Sequence, residues 1–196
     1  MKNNTIVKDT FALTLITLIA GVLLGLVYNI TAEPIAAEQA RSKAEAYQAV
    51  FQDADSFEVV ADAQVPELES YLDENGYTAD NIDEVMQAVD ASGNSLGYAF
   101  TVTSSQGYGG DIQLAMGIQS DGTVNGISFL SISETAGLGM KADTDDFKNQ
   151  YAGKQVEKFE YTKSGATQDN QVDAISGATI TKNAVTVAVY AGLCAF

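Results

Sequence analysis

The chain has 196 residues, enough for one ordinary domain with an appendage rather than two large domains. Ten Lys and Arg against 26 Asp and Glu give a formal charge of −16, so a nucleic-acid backbone would be repelled over most of the surface. Histidine is absent and Cys194 is the lone cysteine, which removes His-based acid–base and nucleophile chemistry, an internal disulfide and thiolate metal clusters; redox work would need a cofactor.

The first element in chain order is an uncharged run between Asp9 and Glu33, TFALTLITLIAGVLLGLVYNITA, which spans about 34 Å as a helix and matches a bilayer core. A cleaved signal peptide is the competing reading, but its apolar region is usually ~7–15 residues and ends in a small-x-small site, for which Ile30-Thr31-Ala32 is a poor match. Lys2 and Lys8 precede the run and Glu33 and Glu38 follow it, so the expected arrangement is a cytoplasmic N-terminus over residues 1–9 and a single transmembrane helix over 10–32. Arg41 and Lys43 weaken the charge asymmetry without reversing it. The rest of the chain is then expected outside the cytoplasmic membrane. Pro34 and the Ala/Glu/Gln/Lys-rich stretch after it predict a stalk helix over 33–51, with the proline in its first turn. An extracytoplasmic domain would fill 52–196.

More than half of the acids fall between Glu33 and Phe100. They read as a solvated face that keeps the domain off anionic lipid, since no stretch carries the spacing of an EF-hand loop. From Asp83, EVMQAVDASGNSLGYAFTVTSS predicts a hairpin turning at Ser92-Gly93-Asn94. A second hairpin turns at Asp121-Gly122, with Ile112, Leu114, Met116 and Ile118 alternating in one strand. DTDDFKNQYAG predicts a short helix ending at Gly153, and a last helix is expected over Thr181 to Phe196. The fold class is α+β, a mostly antiparallel sheet packed with helices.

The tetrapeptide Ser-Gly-Ala-Thr occurs twice, at Ser164–Thr167 and Ser176–Thr179. The first copy leads into polar QDNQ and reads as loop. The second stands where the last helix begins. There the free N–H groups and the positive end of the helix dipole favour a phosphate, and Gly177 and Ala178 allow the backbone close to it. On spacing alone the expected arrangement is the commoner one, a plain N-cap by Ser176 or Thr181.

The string Asp173-Ala174-Ile175-Ser176-Gly177-Ala178-Thr179 resembles the flavinylation motif D-x-x-(S/T)-G-A-(T/S) of the FMN-binding domains found in the G subunit of Rnf complexes and the C subunit of Nqr. Ser133-Glu134-Thr135-Ala136-Gly137-Leu138-Gly139 is similar to the S-E-T-P-G-L-G loop of the same family, with Ala136 at the usual proline. Gly107-Tyr108-Gly109-Gly110 is similar to its G-Y-G-G segment, with Asp111 where proline often follows. The first tetrapeptide has Tyr161 where the motif has Asp, so Thr167 is expected to stay unmodified.

The resemblance implies FMN joined through its phosphate to Thr179 by a dedicated, metal-dependent flavin transferase. It assigns Asp173 to that maturation step, by transferase recognition or metal binding, and Ser176, Gly177 and Ala178 to the phosphate loop. Glu134, Thr135, Gly137, Leu138 and Gly139 become candidates for the ring or ribityl contacts. Tyr108 would stack on the ring or lie exposed in a turn, and Lys182 would neutralise the phosphate or be solvated. Neither a catalytic residue nor a resident metal site is expected. A bound flavin would let a chain without histidine or a cysteine pair carry electrons, because the ring supplies the redox couple and the protein its position.

The family further implies a membrane-anchored electron relay in an Rnf complex, which couples electron flow between ferredoxin and NAD+ to Na+ or H+ movement. Its partners would be the other members of the complex and the lipid bilayer, with no substrate turnover by this chain alone. An Nqr-type C subunit serving NADH:quinone oxidoreduction, a stand-alone flavoprotein for extracellular electron transfer and a non-redox anchored binding module are the alternatives.

Overall fold

The computed structural model describes residues 2–60, 70, 72, 74 and 80–196. Part of the predicted acidic face, including Asp62, Glu67, Glu69 and Asp73, lies outside the described residues. The chain divides into two compact units, Met1–Ser42 and Lys43–Phe196. Helix α1, Lys2–Val50, begins in the first and ends in the second.

In the first unit the apolar side chains of α1, such as Phe11, Leu18, Leu24 and Ile30, are exposed, and the helix is long and apolar enough to cross a membrane. Five of its polar side chains bond back to the helix's own carbonyls. The hydroxyls of Thr10, Thr14, Thr17 and Thr31 donate to the carbonyls four residues back at 2.8–3.0 Å. The amide of Asn29 does the same to Gly25 at 2.8 Å. That arrangement suits a medium offering no other partners. The predicted break at residue 33 is absent, and Pro34 sits inside a continuous helix. Proline removes one hydrogen bond, to the Ile30 carbonyl, and the strong helix formers after it carry the helix on.

The second unit is built on a five-stranded antiparallel meander in the order β1-β2-β3-β4-β5. The strands are β1 Ser56–Val59, β2 Asp80–Val89, β3 Ser95–Ser104, β4 Ile112–Gln119 and β5 Val124–Ser131. Both predicted hairpins are present. In the first turn the Asp90 carboxylate accepts the N–H groups of Ser92 and Asn94 at 2.8 and 2.9 Å, while Gly93 takes a φ of 83°. Strand β2 begins at Asp80, three residues before the sequence signal, and β1 gave no signal because four mostly exposed residues show no alternation.

The two faces of the sheet are packed by different helices. Ile112, Leu114, Met116 and Ile118 are fully buried, as their alternation predicts, and join Phe100 and Val102 in the core under the last helix, α3, Thr179–Ala195. Ala184, Val185, Ala188, Val189 and Ala191 of α3 complete this layer. Each of the large side chains contributes about 1.5–3 kcal/mol by burial. The opposite face carries Ala88, Ala99 and Ala115, whose small side chains seat Ala46, Tyr47, Val50 and Phe51 from the end of α1. Residues 43–51 therefore belong to the folded domain, which starts nine residues earlier than the expected boundary at 52.

A 3-10 turn, Gly139–Asp143, and a single-turn helix α2, Asp145–Lys148, follow the meander. The predicted short helix thus stops before Gly153, which instead takes a left-handed turn at φ 71°. Two three-residue strands, β6 Glu160–Thr162 and β7 Gln171–Asp173, pair in parallel and flank the first Ser-Gly-Ala-Thr copy. They lie below the length at which a pattern is legible. Helix α3 starts two residues before the predicted Thr181, at Thr179 itself.

Candidate functional site

Three loops separated in sequence meet beside the first turn of α3. Glu134 is the node between the first two. It is 9% exposed, and its Oε1 accepts the backbone N–H of Tyr108 at 2.7 Å and of Gly109 at 3.3 Å. The glycines make that approach possible. A Cβ on Gly109 would fall 1.9 Å from the Ser133 carbonyl oxygen, and one on Gly139 would fall 2.6 Å from Glu134 Oε2 and 2.7 Å from Thr181 Oγ1. The same small residues bring the second loop against α3.

The third loop enters α3 through Gly177, whose φ of 79° is the left-handed region that glycine adopts without strain. A Cβ there would press on Leu138 Cδ2 at 3.0 Å. The cap position is Ala178, and no side chain caps the helix, so the expected cap by Ser176 or Thr181 is not formed. The first N–H groups of α3, at Thr179, Ile180 and Thr181, have no acceptor inside the helix. A helix start of this kind attracts an anion.

The loops enclose an open cleft of about 510 Å³, within the range of small-molecule sites. Tyr108 lines it from the first loop, Glu134, Thr135, Leu138 and Gly139 from the second, and residues 177–181 from the third. Thr179 is exposed at this wall. Tyr108, Leu138 and Ile180 are exposed there too, at 71%, 43% and 49%. An aromatic ring, two aliphatic side chains, a helix start and glycines that permit close backbone approach match a planar ring with a phosphate tail. The residues present therefore fit FMN.

The remaining sequence candidates lie outside this lining. Ser176 is exposed beside it. Gly137 takes a φ of 77° in the turn where the Thr135 carbonyl accepts the N–H groups of Leu138 and Met140, so it shapes the second loop. Ala136 leaves that turn intact. Asp173 is exposed at the end of β7 and accepts the N–H of Ala166 at 2.7 Å. Lys182 is neither solvated nor in the cleft. It is 2% exposed, with its ammonium 3.5 Å from the centroid of the Tyr161 ring. Desolvation, and then the charge of Lys163, hold it below the ordinary lysine value.

Sequence reading missed Ile180 and Thr181 as cleft walls, although both follow from Thr179 once the helix starts there. Cys194 is half-buried, and burial pushes its thiol up, away from a reactive thiolate.

The family model of the FMN-binding domain matches residues 107–193, the stretch that supplies all three loops. The chain is thus an FMN-binding domain protein whose N-terminal helix is long and apolar enough for a membrane. The family model of the RnfG N-terminal region matches residues 1–50. The G subunit of the ion-translocating oxidoreductase complex of Methanosarcina acetivorans is 34% identical over 96% of this chain and 93% of its own length. The G subunit of the Na(+)-translocating ferredoxin:NAD(+) oxidoreductase complex of Acetobacterium woodii is 30% identical over 90% of this chain and 84% of its own. Its counterpart in the proton-translocating ferredoxin:NAD(+) oxidoreductase complex of Clostridium ljungdahlii is 30% identical over 95% and 89%. A crystal structure of Shewanella oneidensis NqrC aligns with 54% of this chain and 52% of that chain, at a TM-score of 0.46 and 24% identity. The chain belongs to the RnfG family, the G subunits of Rnf complexes.

Proposed function

We propose that this chain is the membrane-anchored electron relay of an ion-translocating ferredoxin:NAD+ oxidoreductase, carrying FMN through a phosphoester to Thr179. The observation that carries the reading is the position of Thr179, the first residue of α3, exposed on the wall of a cleft built from the family's three loops. When bound, FMN supplies a redox couple that no side chain here provides. The residues of the chain do the rest. Gly177 and Ala178 let the backbone reach the phosphate, and the α3 N–H groups face its charge. Glu134 holds the Tyr108 loop against the second loop, which fixes the aromatic and aliphatic walls for a ring.

The relay would sit on the outer side of the cytoplasmic membrane, with residues 1–9 inside and 10–32 crossing it, because Lys2 and Lys8 precede the span and Glu33 and Glu38 follow. The covalent link would keep the cofactor where free FMN is scarce. The domain would hand electrons on among the other members of the complex without turning over a substrate alone, while a flavin transferase would load it during maturation.

Co-expression of the full chain with a flavin transferase tests this. The wild type gains the mass of FMN and fluoresces in a denaturing gel, and Thr179→Ala does neither. A colourless wild type, as a non-redox binding module would give, or a label that survives Thr179→Ala, overturns the assignment.

A further inference from the structure

Lys182 is a buried cation in an acid-rich chain, yet no carboxylate pairs with it among the described residues. Three features make its charge unfavourable where it stands. It lies one turn inside the N-terminus of α3, the positive end of the helix dipole. The charge of Lys163 acts on it, and burial removes its water. The Tyr161 ring, on β6, offers only a π-face in return.

An anion at one place relieves all three. Lys182 follows Thr179 by three residues, so the two share a helix face with Cβ atoms about 5–6 Å apart. A long helical side chain also leans toward the N-terminus, over the turn that carries Thr179.

We propose that Lys182 is a two-position cation, stored on the Tyr161 ring while Thr179 is free and turned to the phosphate oxygens once a phosphoester stands there. This rests on the assignment of Thr179 above. Lys182 is then a positioning residue for the phosphate, and its departure uncovers the Tyr161 ring, itself 43% exposed. Tyr161 is a wall of a second groove of about 540 Å³ that also holds Asn183 and Tyr190. Loading at Thr179 would thereby change the surface of a groove that runs along the following turns of α3.

The test is a lysine NMR titration of the full chain in detergent, labelled at Cε, with and without co-expressed flavin transferase, and with the Lys182 resonance identified by Lys182→Arg. The unloaded chain shows a ring-shifted Lys182 signal with a lowered midpoint. On loading, the ring shift disappears and the midpoint rises by about one unit or more. Tyr161→Leu removes the ring shift from the unloaded chain and leaves the loaded titration in place. A chain whose mass shows attached FMN, but whose Lys182 signal and midpoint have not moved, overturns the inference alone. A chain that gains no FMN mass overturns the Thr179 assignment and the inference with it. The decisive comparison uses wild-type protein, so it does not depend on a variant folding.

Discussion

Asp173 Oδ1 accepts a 2.7 Å hydrogen bond from the backbone N–H of Ala166, so the acid that opens one Ser-Gly-Ala-Thr copy closes the loop of the other. The two copies share more than letters. Gly165 and Gly177 both take left-handed φ values, 94° and 79°. Their threonines end differently. Thr179 begins a helix, whereas the N–H and hydroxyl of Thr167 both donate to Gln171 Oε1, at 3.0 and 3.2 Å.

This difference predicts which hydroxyl is modified. Thr167→Ala leaves the flavin label unchanged, and so does Gln171→Ala, because the helix start and cleft are lacking at that copy. Label lost from Thr167→Ala, or gained at Thr167 in Gln171→Ala, would show that the tetrapeptide alone is read.

Asp173 has a structural duty separable from maturation. Asp173→Asn keeps an oxygen acceptor for Ala166, and Asp173→Ala does not. Hydrogen exchange at the Ala166 amide should quicken by about tenfold in the alanine variant and little in the asparagine one, in line with about 1.5 kcal/mol for a charge-assisted bond. Equal protection in both would remove the clasp.

Glu134 holds two backbone donors with one oxygen. Glu134→Ala leaves the Tyr108 and Gly109 amides without it, which should cost about 2–3 kcal/mol in urea unfolding, while Glu134→Gln, retaining a carbonyl, should cost less than half of that. Identical losses would place the effect in packing instead.

Two glycines of these loops should respond differently. Gly109→Ala drives a Cβ into backbone oxygen 1.9 Å away, so the first and second loops must separate and flavin loading should fall sharply. Gly137→Ala meets open space and suffers only the left-handed φ of 77°, about 1 kcal/mol. Loading that tolerates Gly109→Ala as well as Gly137→Ala would mean the loops need not touch.

A pH dependence follows from Glu84. It accepts the Tyr47 hydroxyl at 2.8 Å and pairs with Lys43, while Thr101 is left to donate to the Tyr47 oxygen at 2.6 Å. Burial pushes the Glu84 carboxyl up, but the hydrogen bonds from Lys43 and Tyr47 and the Lys43 charge outweigh it and leave it below its ordinary value. A lowered folded value means stabilisation that is present above the unfolded-state value and disappears as pH falls through the folded one. Wild type and Glu84→Gln should therefore differ in stability near neutrality, with the gap starting to close only as pH falls below the ordinary glutamate value of about 4.3 and gone once pH is below the lowered folded one. A gap independent of pH would exclude the carboxylate as its source.

The hairpins, the buried face of β4 and the helix beginning near Thr179 were legible because each rests on a local code: turn glycines, alternation or helical spacing. The cleft was legible only through resemblance, since the meeting of Glu134 with Tyr108 and Gly109 is a long-range contact that no spacing encodes. Pro34 misled, because proline at a first turn and proline within a well-supported helix look alike in one dimension. The resting place of Lys182 was hidden for a related reason. The expected surroundings were water or a phosphate, and the aromatic face that covers it in this structure comes from a three-residue strand too short to foresee.

The alanine seat on the second sheet face decides how this protein can be cut for study. Gly117 stands so close to Val50 and Phe51 that a Cβ there would lie 3.0 Å from each. A soluble version trimmed to start at residue 52 would leave Ala88, Ala99 and Ala115 bare and invite self-association, whereas one that opens before Lys43 brings its own lid and should remain monomeric.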